Sequence, residues 1–241
     1  MNPDSAELAL DLARVTVLGG VLALDRRGAF QVMISQPLVV IPAIGLLLGD
    51  LPTALWLGAL VQLLWMASLI VGASVPPNET LASVVIGGVA LLYQRHFGPA
   101  DTAVQALAIL IGAPVSLLGR WLDIRLDREN LSLCARADEA ASTGSPWALA
   151  RLPLIGLFRT LAAEAALIAG GLAVGITVLG FVRPVLGNAE VRALEVVGTY
   201  AVPALGLAVA MTTVRRRRAL LMAATAFVLV LVGLRYLGVP A

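Results

Sequence analysis

An all-α polytopic integral membrane protein is the fold class this sequence predicts, on two observations. Of its 241 residues, 59% are hydrophobic and only 13% charged, whereas soluble globular domains carry about 25% charged residues. The apolar residues, with a mean hydropathy of +0.93, come in runs of helical length separated by Pro, Gly and polar clusters. Lipid leaves no partner for a bare backbone group, so such runs read as helices. The same arithmetic excludes an ordinary cytosolic enzyme, a disordered chain and a disulfide-rich secreted module.

Taken in order, each run is judged against the roughly 20 residues a helix needs to cross about 30 Å of hydrocarbon. Ala6 to Leu24 qualifies, with Glu7, Asp11 and Arg14 in its first half. Thr53 to Gly72, Thr102 to Gly119, Leu152 to Val182, Val196 to Val214 and Ala219 to Leu234 are further spans. Pro37 to Gly49 and Leu81 to Tyr93, about 13 residues each, are short enough to read as re-entrant or half-helices. Ser35-Gln36-Pro37, Gly49-Asp50-Leu51-Pro52 and Pro76-Pro77-Asn78-Glu79-Thr80 bound them, and Pro halts helical bonding at each place. Together these make about seven or eight membrane segments. Residues 1–241 read as one membrane domain: a broken-helix region over 1–95, a polar stretch over 120–151 and a C-terminal helical bundle over 152–241.

The polar stretch, Arg120 to Arg151, holds five Arg and five acids. It reads as a cytoplasmic amphipathic helix followed by a solvent loop. With it, the Arg215-Arg216-Arg217-Arg218 run is the strongest inside signal, since arginines collect on the cytoplasmic side. Arg183 to Glu195 then reads as the loop between two spans, the C-terminus lies outside, and so does the N-terminus if both short runs cross. Met1 to Asp11, with three acids and no Arg, is the opposite of a signal peptide.

All 17 basic residues are Arg, and they lie mostly in loops between apolar runs and not along one solvated face, which argues against a nucleic-acid surface. With one Cys, Cys134, and one His, His96, no metal cluster, internal disulfide or Ser-His-acid set can be assembled. No Lys is present for a phosphate loop. The chain reads as no enzyme and needs no cofactor or metal.

Polar residues inside the broken region carry the chemistry, because hydrocarbon tolerates them only when paired or hydrated. They are Asp25, Gln31, Gln36, Gln62, Asn78 and Glu79. Gln62 is an amide in mid-run that can both donate and accept, which suits a sugar hydroxyl or an interhelical bond. Asn78 fits as a helix N-cap and Glu79 suits the positive end of the helix dipole. Capping explains both; so does a broken helix end that places polar groups at a substrate cavity. Asp25-Arg26-Arg27 is either part of that site or a solvated turn. Asp50 reads as a cap, His96 as a solvated connector, and Asp123 with Asp127 as a charged amphipathic face.

Leu24-Asp25, Phe30-Gln31, Pro37-Leu38, Ile44-Gly45-Leu46-Leu47-Leu48-Gly49-Asp50, Gly58-Ala59-Leu60-Val61-Gln62-Leu63 and Gly72-Ala73-Ser74-Val75-Pro76-Pro77-Asn78-Glu79-Thr80-Leu81-Ala82-Ser83 follow one another in an order that resembles the IIC subunit of the mannose/fructose/sorbose-class sugar phosphotransferase system. The resemblance covers the first third of the chain. It implies a bacterial inner-membrane subunit that pairs with a IID subunit, as a trimer of IIC–IID pairs. It also implies alternating access for a hexose or related sugar, which a soluble IIB subunit, supplied by IIA, phosphorylates. By position it puts Asp25, Gln31, Gln62 and Asn78 near the sugar path, with Glu79 beside them. Departures are an amide at Gln62 and at Asn78 where the mannose type has acids, and a longer segment between Asp25 and Pro37; they bear on which sugar is carried. The residues alone leave open a permease or binding subunit without phosphoryl coupling, and a scaffold in which these amides only join helices.

Overall fold

The computed structural model describes residues 3–67, 74–213 and 225, and helices dominate them. Gly72, Ala73, the four-arginine run and most of the Ala219–Leu234 stretch lie outside the described residues. Helix α1 (Pro3–Ala23) ends in a 3-10 turn, Leu24–Arg26, and the chain then takes an irregular path to Pro37. Helices α2 (Pro37–Leu48) and α3 (Leu51–Trp65) form a tight hairpin. Pro37 starts α2 where its missing N–H costs nothing. Gly49 ends it in the left-handed region, φ 88°, which a side chain would resist. Asp50 then caps α3, accepting from the Thr53 amide at 3.3 Å. At 12 and 15 residues, these helices reach only about 18 and 22 Å. The expected span from Thr53 to Gly72 is therefore not one long helix: α3 stops at Trp65.

Helix α4 (Glu79–His96) departs most from expectation. It has 18 residues, and every one from Glu79 to Tyr93 is buried. What reads in the sequence as a short re-entrant run is the central helix of the molecule, with α1, α2, α5 and α7 packed around it. The apolar count falls short because polar residues extend the helix at both ends and find partners there.

Helix α5 (Thr102–Gly112) bends at Ala113-Pro114 into α6 (Val115–Ser142). Helix α7 (Pro146–Val185), of 40 residues, returns along α6 after a turn at 143–145, so the expected solvent loop before Arg151 is mostly helix. The Arg183–Glu195 connection is also largely helical: α8 (Asn188–Val196) passes through a π-turn at Val197–Ala201 into α9 (Val202–Thr213). Among the described residues, three continuous helices are long and apolar enough to cross a membrane: Thr102–Ser142, Pro146–Val185 and Asn188–Thr212.

Candidate functional site

The first turn of α4 is a meeting point of buried charges. Asn78, fully buried, caps it: its Oδ1 accepts from the Leu81 amide at 3.1 Å, and its own amide donates to the Ser116 carbonyl at 2.8 Å. Its Nδ2 donates to both carboxyl oxygens of Asp123, each at 3.2 Å. Gly119 makes this approach possible, since a Cβ there would stand 2.6 Å from the Asn78 Cβ. Arg26 enters from the turn after α1. Its Nη1 donates to Asp123 at 2.7 Å, and its Nη2 to Glu79 and the Pro77 carbonyl, each at 3.2 Å. The Arg26 and Asp123 side chains are 4% and 2% exposed. Arg27 reaches Asp127 at 3.0 Å and Asp123 at 4.0 Å.

Around this knot, polar atoms are left over. Arg26 Nε, Thr80 Oγ1 and Glu164 Oε2 are buried, and no described residue bonds them. Asn130 Oδ1 is the fourth such atom. It lines a cavity of about 510 Å³ between α6 and α7, together with Arg27, Gly28, Asp123, Asp127 and Thr160. That volume is in the range of small-molecule sites.

A second polar pair lies at the open end of the hairpin. Gln62 Oε1 accepts from the Leu38 amide at 3.2 Å, capping α2 from a neighbouring helix, and its Nε2 donates to Gln36 Oε1 at 3.1 Å. Both side chains are half-buried. Between the pair and the knot runs the irregular segment, held by Asp25. One Asp25 oxygen accepts from the Val32 amide at 2.7 Å, the other from the Ser35 amide at 3.2 Å and hydroxyl at 3.1 Å. Burial pushes the Asp25 carboxyl up, but the amides of Val32, Ser35 and Ile34 with the Ser35 hydroxyl outweigh it and hold it below the ordinary carboxylate range. The staple constrains an unusual backbone, with Phe30, Gln31 and Met33 all at positive φ.

The five residues that the resemblance puts near the sugar path therefore separate. Asn78 and Glu79 come together in the knot. Gln62 sits with Gln36, while Asp25 pins the connecting segment instead of forming a solvated turn. Gln31 is exposed, with its Nε2 donating to the Arg27 carbonyl at 3.4 Å. Of the two fates left open for Arg26, the structure shows the buried one. Two further corrections concern residues read as solvated: Asp123 leaves the amphipathic face to pair with Arg26, and His96, half-buried, continues α4 and contacts Asp11 at 3.1 Å. The sequence held one usable signal for Glu164, an acid inside an apolar run of spanning length, but none for the Arg26–Asp123 pair. No grouping of His, Cys, Asp and Glu among the described residues could hold a metal ion.

Comparison with known proteins gives a consistent picture. Residues 10–239 match the family described as the sorbose-specific IIC component of the PTS. The mannose-specific EIIC component of Escherichia coli K12 is 27% identical over 123 residues, which are 51% of this chain and 43% of that protein. The sorbose-specific EIIC component of Klebsiella pneumoniae is 29% identical over 106 residues, 44% of this chain and 37% of the relative. The matched region thus spans less than half the length of these relatives. A structure described only as a membrane protein superposes with a TM-score of 0.68 at 20% identity, covering 95% of this chain and 92% of the other. The mannose transporter ManYZ, in complex with microcin E492, superposes with a TM-score of 0.57 at 18% identity, covering 97% and 92%. Both share the fold.

Proposed function

This chain belongs to the sorbose-specific IIC family of the sugar phosphotransferase system, and from that premise we propose that it is the membrane subunit through which a hexose or related sugar passes. The observation that carries the reading is the placing of polar side chains at the breaks between helices. Gln36 and Gln62 stand at the mouth of the α2–α3 hairpin, and Asn78 and Glu79 stand where α4 begins. A transporter that holds its substrate near interrupted helices uses such groups as hydroxyl partners, because a neutral amide can donate and accept without a charge to desolvate. The Gln36–Gln62 pair is half-buried and internally bonded, so a sugar hydroxyl can replace either partner at little net cost.

In this reading the sugar crosses by alternating access in the bacterial inner membrane. A IID membrane subunit completes the translocating unit, assembled as a trimer of IIC–IID pairs. Soluble IIA and IIB subunits supply the phosphoryl group that traps the sugar inside. Asp25 contributes by fixing the segment that joins the two polar groups, and Gln31 lies at its exposed edge.

The test is Gln62→Leu, expressed with its partner subunits. Uptake of radiolabelled mannose, fructose and sorbose falls at least tenfold, while the protein still inserts in the membrane. Normal uptake with stability lower by about 0.6–2 kcal/mol would instead assign Gln62 to joining α2 and α3.

A further inference from the structure

We propose that the outward face of α7 between Arg151 and Arg159 binds an anionic phospholipid of the surrounding bilayer. A groove of about 780 Å³ runs along α7 there, with both arginines on its wall. Leu154, Ile155 and Phe158 line it, and Ala162 and Ala163 carry it toward the middle of the helix. Residues three and four apart share one face of a helix, so the groove is a single stripe. Leu154 is 65% and Phe158 71% exposed, so no other described element covers the stripe. An apolar surface rimmed by charge marks an interaction site.

The charges on α7 set its depth. Its exposed large apolar residues run from Leu154 through Phe158, Val174 and Val178 to Phe181. Arg151 precedes that stretch and Arg183, which donates to Asp101 at 2.8 Å, follows it. As helix the two arginines stand about 48 Å apart. At the ordinary tilt of about 20° this projects to about 45 Å, the thickness of a bilayer with its headgroups, about 40–45 Å. Arg151 therefore lies at headgroup depth, with the exposed Trp147 ring one turn further out, as aromatic residues lie at a membrane boundary. Arg159 lies about 12 Å deeper. Helical side chains lean toward the N-terminus, so its guanidinium snorkels back toward Arg151 and the headgroups.

Both cations are free to take a phosphate. Arg151 lies over the Trp147 ring, 5.7 Å from its centroid, and Arg159 Nη1 donates to the Glu129 carbonyl at 3.3 Å. The Glu129 carboxylate is itself held by Arg125 at 2.8 Å. Among the described residues neither guanidinium has a carboxylate at ion-pair distance, and no acid lines the groove. A phosphodiester supplies the oxygens that guanidinium groups bind best. The acyl chain below it lies along Leu154, Ile155 and Phe158 toward Ala162 and Ala163. The absence of an acid from the lining selects an anionic headgroup, since nothing there would hold the cation of a zwitterionic one. The same charges disfavour a second copy of this face as the occupant, because arginine would meet arginine.

A photocrosslinking residue in the groove reads its occupant directly. The full chain carrying Phe158→p-benzoylphenylalanine is purified with its partner subunits, reconstituted in vesicles of phosphatidylglycerol or of phosphatidylcholine, illuminated, and weighed by mass spectrometry. The site predicts a phosphatidylglycerol adduct at least fivefold more abundant than the phosphatidylcholine adduct. Adding Arg151→Gln and Arg159→Gln should bring the two within about twofold. Inorganic phosphate should displace the lipid no better than chloride at equal ionic strength. Equal adducts in the starting chain, a preference that survives loss of both arginines, or an adduct to a protein chain in place of lipid each overturn the site. Displacement by phosphate alone shows a site for a free anion and overturns it too. Should the double arginine variant fail to accumulate, Arg151→Gln, at an exposed position, decides with an expected loss of at least half the preference. Sugar uptake is not read, so either result leaves the permease reading where it stands.

Discussion

Helix α4 carries an acid–arginine cluster at each end, and the two are built on opposite ratios. At the C-terminal end a single buried carboxylate, Asp11, is served by three donors: Arg95 Nε at 2.8 Å, His96 Nε2 at 3.1 Å and Arg14 Nη1 at 3.2 Å. Arg95 also reaches Glu7 at 3.1 Å and the Leu48 carbonyl at 3.1 Å, and Gln94 bonds Asp50, so α1, α4 and the hairpin tip are tied together. At the N-terminal end one buried guanidinium, Arg26, bonds two carboxylates, with the Asn78 amide and Arg27 at 4.0 Å as further partners of Asp123 alone, and its own Nε is left unbonded. The first cluster is redundant and complete, as a structural clamp should be. The second is lean, with buried polar atoms left unbonded by the described residues. Both clusters are buried; the leftover bonds distinguish the two.

The largest effect tests the lean end. Arg26→Met leaves Glu79 without a cation and Asp123 with only the Asn78 amide and Arg27 at 4.0 Å. Removing one partner from a buried ion pair costs about 3–5 kcal/mol. The variant should lose most of its thermal stability in detergent, or fail to accumulate in the membrane. A loss under about 1 kcal/mol would mean the knot is already hydrated and exchanging partners.

This contrast also explains which parts of the molecule were legible in the sequence. Caps are local, so Asn78 and Asp50 could be read from a polar residue beside a proline and an apolar run. The interruptions at Pro37, Gly49 and Pro76-Pro77 were visible for the same reason. Pairings across the fold were not: Arg26 and Asp123 are 97 residues apart, and within its own helix Asp123 fits the pattern of a solvated face. The central position of α4 was hidden too. Its polar ends, Glu79 and Gln94 to His96, shorten the apolar run, and only their distant partners, Arg26, Asp50 and Asp11, show why they belong to the helix.

A middle-sized effect tests the segment between the two polar groups. Asp25→Asn keeps the volume but replaces one acceptor oxygen with a donor facing the Ser35 or Val32 amide. It should lower stability by about 1–3 kcal/mol, the cost of leaving a buried donor unmet. It should also loosen the run with positive φ at Phe30, Gln31 and Met33, seen as faster amide exchange at Val32 and Ser35. The carboxyl lies below its ordinary value in the folded protein. Its stabilisation is therefore fully present above the unfolded-state pKa, near 3.8, and is lost only as pH falls through the folded value. Asp25→Asn should remove that acid-side loss and leave stability near neutral pH uniformly lower. An acid limb identical to that of the unaltered protein would show that the carboxylate does not hold the loop.

The smallest effect belongs to the redundant end. Arg95 is 36% exposed, and without it Asp11 keeps His96 and Arg14. Arg95→Met should therefore cost about 1 kcal/mol or less, in the range of exposed pairs. His96→Gln alone should cost as little, since Arg95 and Arg14 remain. The double variant leaves the buried carboxylate with Arg14 alone, a side chain 51% exposed. Its cost should exceed the sum of the single costs, as groups that share one partner are not additive. Simple additivity would mean that each donor contributes independently, and the C-terminal clamp would then be no more redundant than the knot at the other end of α4. The difference in ratio between the two clusters would lose its meaning, and the orphaned atoms around Arg26 would have to carry the distinction unaided.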